Sequence, residues 1–161
     1  MLQHITHPIA PVYDSRSEIL VLGSFPSVKS REMMFFYGHP QNRYWKVMAA
    51  VFEDAVPETV PERRAFLLRH HVAAWDVIGA CGIRGSSDAS IRDAVPNDLR
   101  LILETANIRQ IYTNGQTAWK LFQKLTAPTL GRDSICLPST SPANAAWSLE
   151  RLIQAWKRIR E

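Results

Sequence analysis

Four short apolar runs, Ile19 to Leu22, Val72 to Trp75, Ile108 to Tyr112 with two polar interruptions, and Ile135 to Leu137, are separated by segments in which apolar residues recur with helical period. Runs of that length and character are the pattern of strands buried on both faces. The intervening period is explicit: Tyr44, Val47, Met48 and Val51 fall at i, i+3, i+4 and i+7, as do Leu99, Ile102, Leu103 and Ala106, and then Ala118, Leu121, Phe122 and Leu125. Ala145, Leu149, Leu152, Trp156 and Ile159 give a last amphipathic face. Strands that alternate with helices require right-handed crossovers, which gives an α/β chain with a parallel sheet and helices on both faces. A chain of 161 residues without internal repeats is expected to form one domain spanning 1–161, large enough to need no disulfide or metal staple.

In an open parallel sheet, ligands bind outside the carboxyl ends of the strands. The residues that follow the four runs are GSFPS (Gly23 to Ser27), DVIG (Asp76 to Gly79), TNG (Thr113 to Gly115) and PSTSPAN (Pro138 to Asn144). All four segments are expected on one rim. Their Gly, Pro, Ser and Asn content suits turns, and equally suits close backbone approach and N–H groups offered to phosphates.

Several chemistries are missing. No GxGxxG follows the first run, no GxxxxGK[ST] occurs, and GSF lacks the second glycine of a nucleophile elbow. Ser24 and Ser27 have no histidine placed by sequence to activate them, with His39 a candidate only if its loop folds back. His4, His7, His39, His70 and His71 show no metal-binding spacing, and Cys81 and Cys136 cannot supply four thiolates, so neither a metal nor an iron-sulfur cluster is expected. Nineteen Lys and Arg against fifteen Asp and Glu give a net charge of +4, compatible with a polyanionic partner. Arg151, Lys157, Arg158 and Arg160 gather on the last helix, as a solvated face would also have them. No long apolar run suggests a membrane span and no leader pattern opens the chain, so a cytoplasmic protein is expected.

The ordered series GSFPS, YGHPQNRYW (Tyr37 to Trp45), WDVIG and LPSTSPAN (Leu137 to Asn144) resembles the uracil-DNA glycosylase superfamily, specifically its hypoxanthine-DNA glycosylase branch. The resemblance runs from about Ile19 to Ala155. It implies a three-layer α/β/α sandwich around a four-stranded parallel sheet, and a cofactor-free enzyme that hydrolyses the bond between a deaminated base and deoxyribose in DNA; a monomer associated with the nucleoid is also expected. Two departures from the uracil-excising members stand out. Where those carry an aspartate, a proline and a tyrosine, this chain has Phe25, Pro26 and Ser27, and where those carry a histidine before Pro-Ser it has Leu137. In the hypoxanthine branch the asparagine of the GHPQNR motif is the catalytic residue, and it falls on Asn42.

Glycosidic cleavage passes through a sugar cation and a base leaving with negative charge, so ordered water and hydrogen-bond donors matter more than a strong nucleophile. Asn42 offers an acceptor for a water proton and two donors; an asparagine before a helix is also a preferred N-cap, and both roles can coexist. A base in a duplex must be flipped out and held. Gly23 to Ser27 are expected against it, Phe25, Phe36 and Tyr37 are the candidate stacking faces, and Ser27 in place of a tyrosine leaves room for a purine. Asp76 either accepts the N1–H that hypoxanthine has and adenine lacks, or caps the following turn. Ser139, Thr140 and Ser141 are expected on phosphates, Pro142 and Asn144 beside the gap left by the flipped nucleotide, and Asn114 and Gly115 either on a phosphate or capping a helix. A catalytically silent nucleic-acid or nucleotide binder on the same fold, and an enzyme of free nucleosides, are the alternatives.

Overall fold

A computed structural model describes residues 2–161. Its strands are β1 (Gln3–Thr6), β2 (Ile19–Gly23), β3 (Val72–Asp76), β4 (Ile78–Ile83), β5 (Arg92–Pro96), β6 (Gln110–Asn114) and β7 (Ile135–Leu137). Its helices are α1 (Val28–Met33), α2 (Tyr44–Val51), α3 (Val60–Arg69), α4 (Arg100–Leu103), α5 (Gln116–Leu125), α6 (Ala127–Leu130) and α7 (Leu149–Trp156). The main sheet has four strands in the order β3-β2-β6-β7, every neighbouring pair parallel, as the alternation of runs and helical segments requires. A second, three-stranded antiparallel sheet has the order β1-β4-β5.

All residues of β2 are buried, and its side chains alternate between two cores. Ile19 and Val21 pack with α2, α3 and α7 through Val47, Met48, Phe66, Leu152 and Trp156. Leu20 and Leu22 pack on the other side with Leu99, Ile102, Ala106 and Phe122. Helices on both faces of a parallel sheet make the three-layer sandwich. Phe25, Ile78, Cys81 and Ile83 form a third, smaller cluster under the antiparallel sheet.

Element boundaries differ from the sequence expectations in ways that matter at the rim. The third run forms a strand at Gln110–Asn114, later than Ile108 to Tyr112, because Arg109 N–H donates to Glu18 O at 2.8 Å and pairing starts beyond it. Thr113 and Asn114 are therefore strand residues. Ile78 and Gly79 are not loop either, since they begin β4. The apolar stretch from Leu99 to Ala106 holds only a four-residue helix, and the tail helix starts at Leu149, not at Ala145. Three helices, α1, α3 and α6, and the second sheet went unforeseen. α3 had a legible signal, the capping box in which Thr59 Oγ1 accepts from Glu62 N–H at 3.2 Å with Pro61 in the first turn. β5 and β1 are mostly exposed and polar, and β4 pairs irregularly with β5, so alternation was weak there.

Register aligns the strand ends: Gly23 pairs with Asp76, Thr113 lies opposite Leu22, and Asn114 opposite Leu137. One edge of the sheet therefore collects the segments that follow all four strands. Among the described residues no helix is long and apolar enough to cross a membrane.

Trp156 is fully buried in the α2–α7 core, and its indole N–H donates to Pro138 O at 3.0 Å, tying the last helix to the last rim loop. Trp156→Ala should cost about 3–5 kcal/mol in urea unfolding, while Trp156→Phe, which keeps a ring but not the donor, should cost clearly less.

Candidate active site

A cavity of about 380 Å³ opens on that edge, within the range of small-molecule pockets, roughly 300–1,000 Å³. The segment after β2 contributes Gly23 to Ser27, the segment before α2 contributes Phe36, Tyr37, His39 and Asn42, β3 ends in it at Asp76, β6 at Asn114, and the last loop adds Ser139 to Ala143. Nearly all the residues singled out from sequence thus meet. Gly115 and Asn144 stand outside the lining. Gly115 adopts φ +95 before α5 and spends its N–H on Leu137 O at 2.8 Å, while Asn144 donates its side-chain amide to Ser139 O at 3.0 Å and braces the loop from within.

Asn42 lies two residues before α2, whose N-cap position is Arg43. Its orientation follows from a chain of hydrogen bonds whose polarity is fixed at both ends. Thr140 N–H can only donate, and it meets Asn114 Oδ1 at 3.0 Å. Asn114 Nδ2 therefore faces Thr140 Oγ1, at 3.0 Å, and the hydroxyl passes its own proton to Asn42 Oδ1 at 2.9 Å. Tyr44 N–H, again a donor only, reaches the same oxygen at 2.9 Å. Both lone pairs of Oδ1 are occupied. The expectation that Asn42 accepts a water proton is corrected on this point: the group left unpaired among the described residues is its Nδ2, a pair of N–H donors at the cavity wall.

Arg43 clamps this arrangement. Its backbone N–H donates to Thr140 O at 3.1 Å, and its guanidinium donates to the carbonyls of Trp147, of Ser141 at 3.2 Å and of Asn144 at 3.0 Å. Three carbonyls converging on one guanidinium hold the last loop against the start of α2. The role of Arg43 was not anticipated, although its place beside Asn42 is part of the motif.

The aromatics divide their duties. Phe35 is wholly in the core, whereas Phe25 and Phe36, though nearly buried, line the cavity. Tyr37 adopts φ +52, which turns the chain and stacks its ring on Tyr44, centroids 3.9 Å apart. The Tyr37 hydroxyl is buried without a partner, and burial first, then the Asp76 charge, push its ionisation well above the usual phenol range against an opposing Asn114 contact. Arg31 lies over the Phe25 ring at 5.7 Å and donates to Pro26 O at 2.7 Å.

The serines of GSFPS are engaged structurally. Ser24 Oγ donates to Asp88 Oδ1 at 2.9 Å, and Ser27 caps α1 by accepting from Ser30 N–H at 3.1 Å. His39 Nδ1 accepts from Gln41 N–H at 3.1 Å. Neither serine has a histidine partner.

Besides Arg43 and the cavity-lining Ser30, three contributors escaped the sequence reading, and two of them come from the β4–β5 connection. Ser86 and Asp88 lie on the cavity wall, and Ser86 Oγ accepts from Val28 N–H at 2.9 Å, so this connection is fastened across the mouth. Loss of hydration holds the Asp88 carboxyl above the ordinary carboxylate value, with the Ser24 hydrogen bond opposing and the Asp76 charge adding to the rise. The third is His7, whose Nε2 lies 2.7 Å from Asp76 Oδ2. Nothing in local sequence links residues so far apart.

Thr140→Val, nearly isosteric, removes the hydroxyl that joins Asn42 to Asn114. Unfolding free energy should fall by ~1–3 kcal/mol for the groups left unpaired, and a crystal structure should show the Asn42 side chain in more than one rotamer.

The profile described as the uracil DNA glycosylase superfamily matches residues 10–160. A protein named hypoxanthine DNA glycosylase from Methanosarcina acetivorans is 32% identical over 142 residues, spanning 87% of this chain and 89% of that one. Its namesake from Methanosarcina barkeri is 32% identical over 136 residues, spanning 83% and 85%. The solution NMR structure of a candidate uracil DNA glycosylase from Methanosarcina acetivorans superposes with a TM-score of 0.80 at 26% identity, over 99% of this chain and 100% of that one. A parallel four-stranded sandwich with this rim, matched by the profile over most of its length, belongs to the uracil DNA glycosylase superfamily.

Proposed function

We propose that this protein is a monofunctional DNA glycosylase that hydrolyses the N-glycosidic bond of a deaminated base, hypoxanthine foremost and uracil second, flipped out of DNA into the rim cavity. The observation that carries the reading is the locked Asn42 amide, with its oxygen saturated and its NH₂ turned to the cavity. In a dissociative cleavage, negative charge grows on the departing base, and preorganised N–H donors stabilise that charge without reorganising. Water then completes the sugar cation, for which a strong nucleophile is unnecessary. The reaction needs no cofactor. No lysine lies in the rim segments, and the one that follows the first of them, Lys29 in α1, is exposed and 3.9 Å from Glu32, so no buried amine is poised there for Schiff-base strand cleavage.

The relatives named for hypoxanthine support a purine, and Ser27, in the place where the uracil-excising members have a tyrosine, leaves the space for one. Ser139 and Ser141 stand beside the exposed Pro142 and Ala143, where the damaged strand would cross, with Ser139 Oγ receiving Ser141 N–H at 3.1 Å. Phosphate contact there would be through side-chain hydroxyls and free backbone groups, since the N–H of Thr140 and of Gly115 are already spent. We take the protein to act as a monomer in the compartment that holds the DNA.

Purified protein is incubated with duplexes containing deoxyinosine, deoxyuridine or deoxyxanthosine, and abasic sites are revealed with alkali. Cleavage at deoxyinosine is expected, and intact strands across all three would defeat the reading; lesion binding without product would identify a silent binder instead. Asn42→Ala should lose about 10²-fold or more in single-turnover rate. Asn42→Asp keeps the acceptor and removes both donors, so it should be as slow as Asn42→Ala; a fast aspartate variant would reassign residue 42 to accepting a proton from water.

A further inference from the structure

His7 follows β1 and, from the antiparallel sheet, which the glycosidic chemistry does not otherwise use, reaches Asp76 of the cavity wall without itself lining the cavity. Its backbone N–H donates to Gly79 O at 2.7 Å. Its Nδ1 accepts the N–H of Ile9 at 3.2 Å, which places the ring proton on Nε2, and that N–H donates to Asp76 Oδ2 at 2.7 Å. The imidazole is caged by Phe25, edge-on at 5.7 Å, by Trp75 at 6.2 Å and by Phe36 at 6.3 Å. Both side chains are almost wholly buried, 2% exposed for His7 and 5% for Asp76.

A carboxylate turns broadly about its last bond, so a buried one presents a defined oxygen only if something holds the other. Here the imidazole holds Oδ2, and the Asp76 backbone carbonyl is held from behind by Asn97 Nδ2 at 2.9 Å. No group among the described residues donates to Oδ1, and Asp76 belongs to the cavity wall. Oδ1 points to Gly23, where a Cβ would stand only 2.5 Å away, so the absence of a side chain at Gly23 is what lets this oxygen lie at the floor. Oδ1 is thus left to accept a donor from whatever occupies the cavity, water or ligand.

Resting on the reading above, we propose that His7 is a positioning residue that fixes Asp76 so that Oδ1 reads the ring N–H of the everted base. Hypoxanthine, xanthine and uracil each carry an N–H at the ring nitrogen where adenine and cytosine carry a lone pair; guanine shares the N1–H and differs by its 2-amino group, so the contrast made here is between hypoxanthine and adenine, an N1–H against an N1 lone pair. An ionised carboxylate only accepts. It therefore binds the deaminated purine and repels adenine. The histidine makes the discrimination sharp by denying Asp76 the rotation that would soften it.

The test uses duplexes carrying deoxyinosine or its N1-methyl analogue, which keeps the purine but replaces the N–H by a methyl group. Single-turnover rate and lesion affinity are measured for wild type, His7→Phe, His7→Gln and Asp76→Asn, with thermal unfolding followed for each. His7→Phe, which fills the aromatic cage without a donor, and Asp76→Asn should each lower the deoxyinosine preference by about tenfold or more, and His7→Gln, which restores a donor toward Oδ2, should recover much of it. A cooperatively folded His7→Phe, or an Asp76→Asn variant, that keeps the wild-type preference overturns the proposal. If His7→Phe does not fold, Asp76→Asn and the recovery in His7→Gln decide it in the same way. Wild-type protein that releases no hypoxanthine overturns the glycosylase reading and this inference together, whereas active wild type with unaltered preference in the variants overturns this inference alone.

Discussion

The hydroxyl of Thr140 joins two asparagines, Asn114 from the end of β6 and Asn42 from the approach to α2, and it does so with no freedom of polarity. Each member is fixed by a backbone N–H that can only donate, so the array has one arrangement of donors and acceptors. Thr140 is itself fully buried, and a buried polar chain of this kind is stabilising only when every member is satisfied. The consequence at the surface of the cavity is a carboxamide that shows its nitrogen and hides its oxygen. Arg43 supports the same array from the other side, because its guanidinium gathers carbonyls of the loop carrying Thr140 while its backbone N–H bonds Thr140 O.

The cavity is a joint product of two sheets. The parallel sheet sets the floor, with Gly23, Asp76 and Asn114 at its strand ends, and the antiparallel sheet brings His7 beneath it and Asp88 across its mouth. β3 and β4 are separated by a single residue, and Val77 N–H and Ile78 N–H bond back to Gly23 O and Ser24 O at 2.8 and 3.1 Å. The chain thus leaves one sheet and enters the other at the site itself. Two acidic groups, Asp76 and Asp88, are brought near each other there, and the rise in the Asp88 ionisation reflects lost hydration first and its neighbour's charge as well.

The superfamily's better-known members have an acid and a histidine where this chain has Phe25 and Leu137. Phe25 instead packs on His7 and under Arg31, and Leu137 is buried with α7. Leu137 is a packing position here, while Phe25 packs and also lines the cavity. Among the polar groups that line the cavity, beside its serines, Thr140 and His39, Asn42 offers amide donors and Asp76 and Asp88 offer carboxylate acceptors. Such a division suits a base that departs with negative charge but is first recognised by an N–H.

The sequence by itself determined the sandwich and the rim. Buried strands read as short apolar runs, the third interrupted at Arg109 and Gln110, and the parallel arrangement follows from the helical period between them, so residues near each strand end had to share an edge. Asn42 was legible as both a helix-start residue and a site residue, because those signals are local. Tertiary structure alone decided which atom of Asn42 faces the cavity, since that depends on Thr140 and Asn114, remote in the chain. It alone decided that His7 lies on Asp76, 69 residues away, and that β1, β4 and β5 form a sheet at all. Periodicity records which face of an element is dry; it carries no record of which distant polar group completes a hydrogen bond, and at this site those distant bonds define the chemistry.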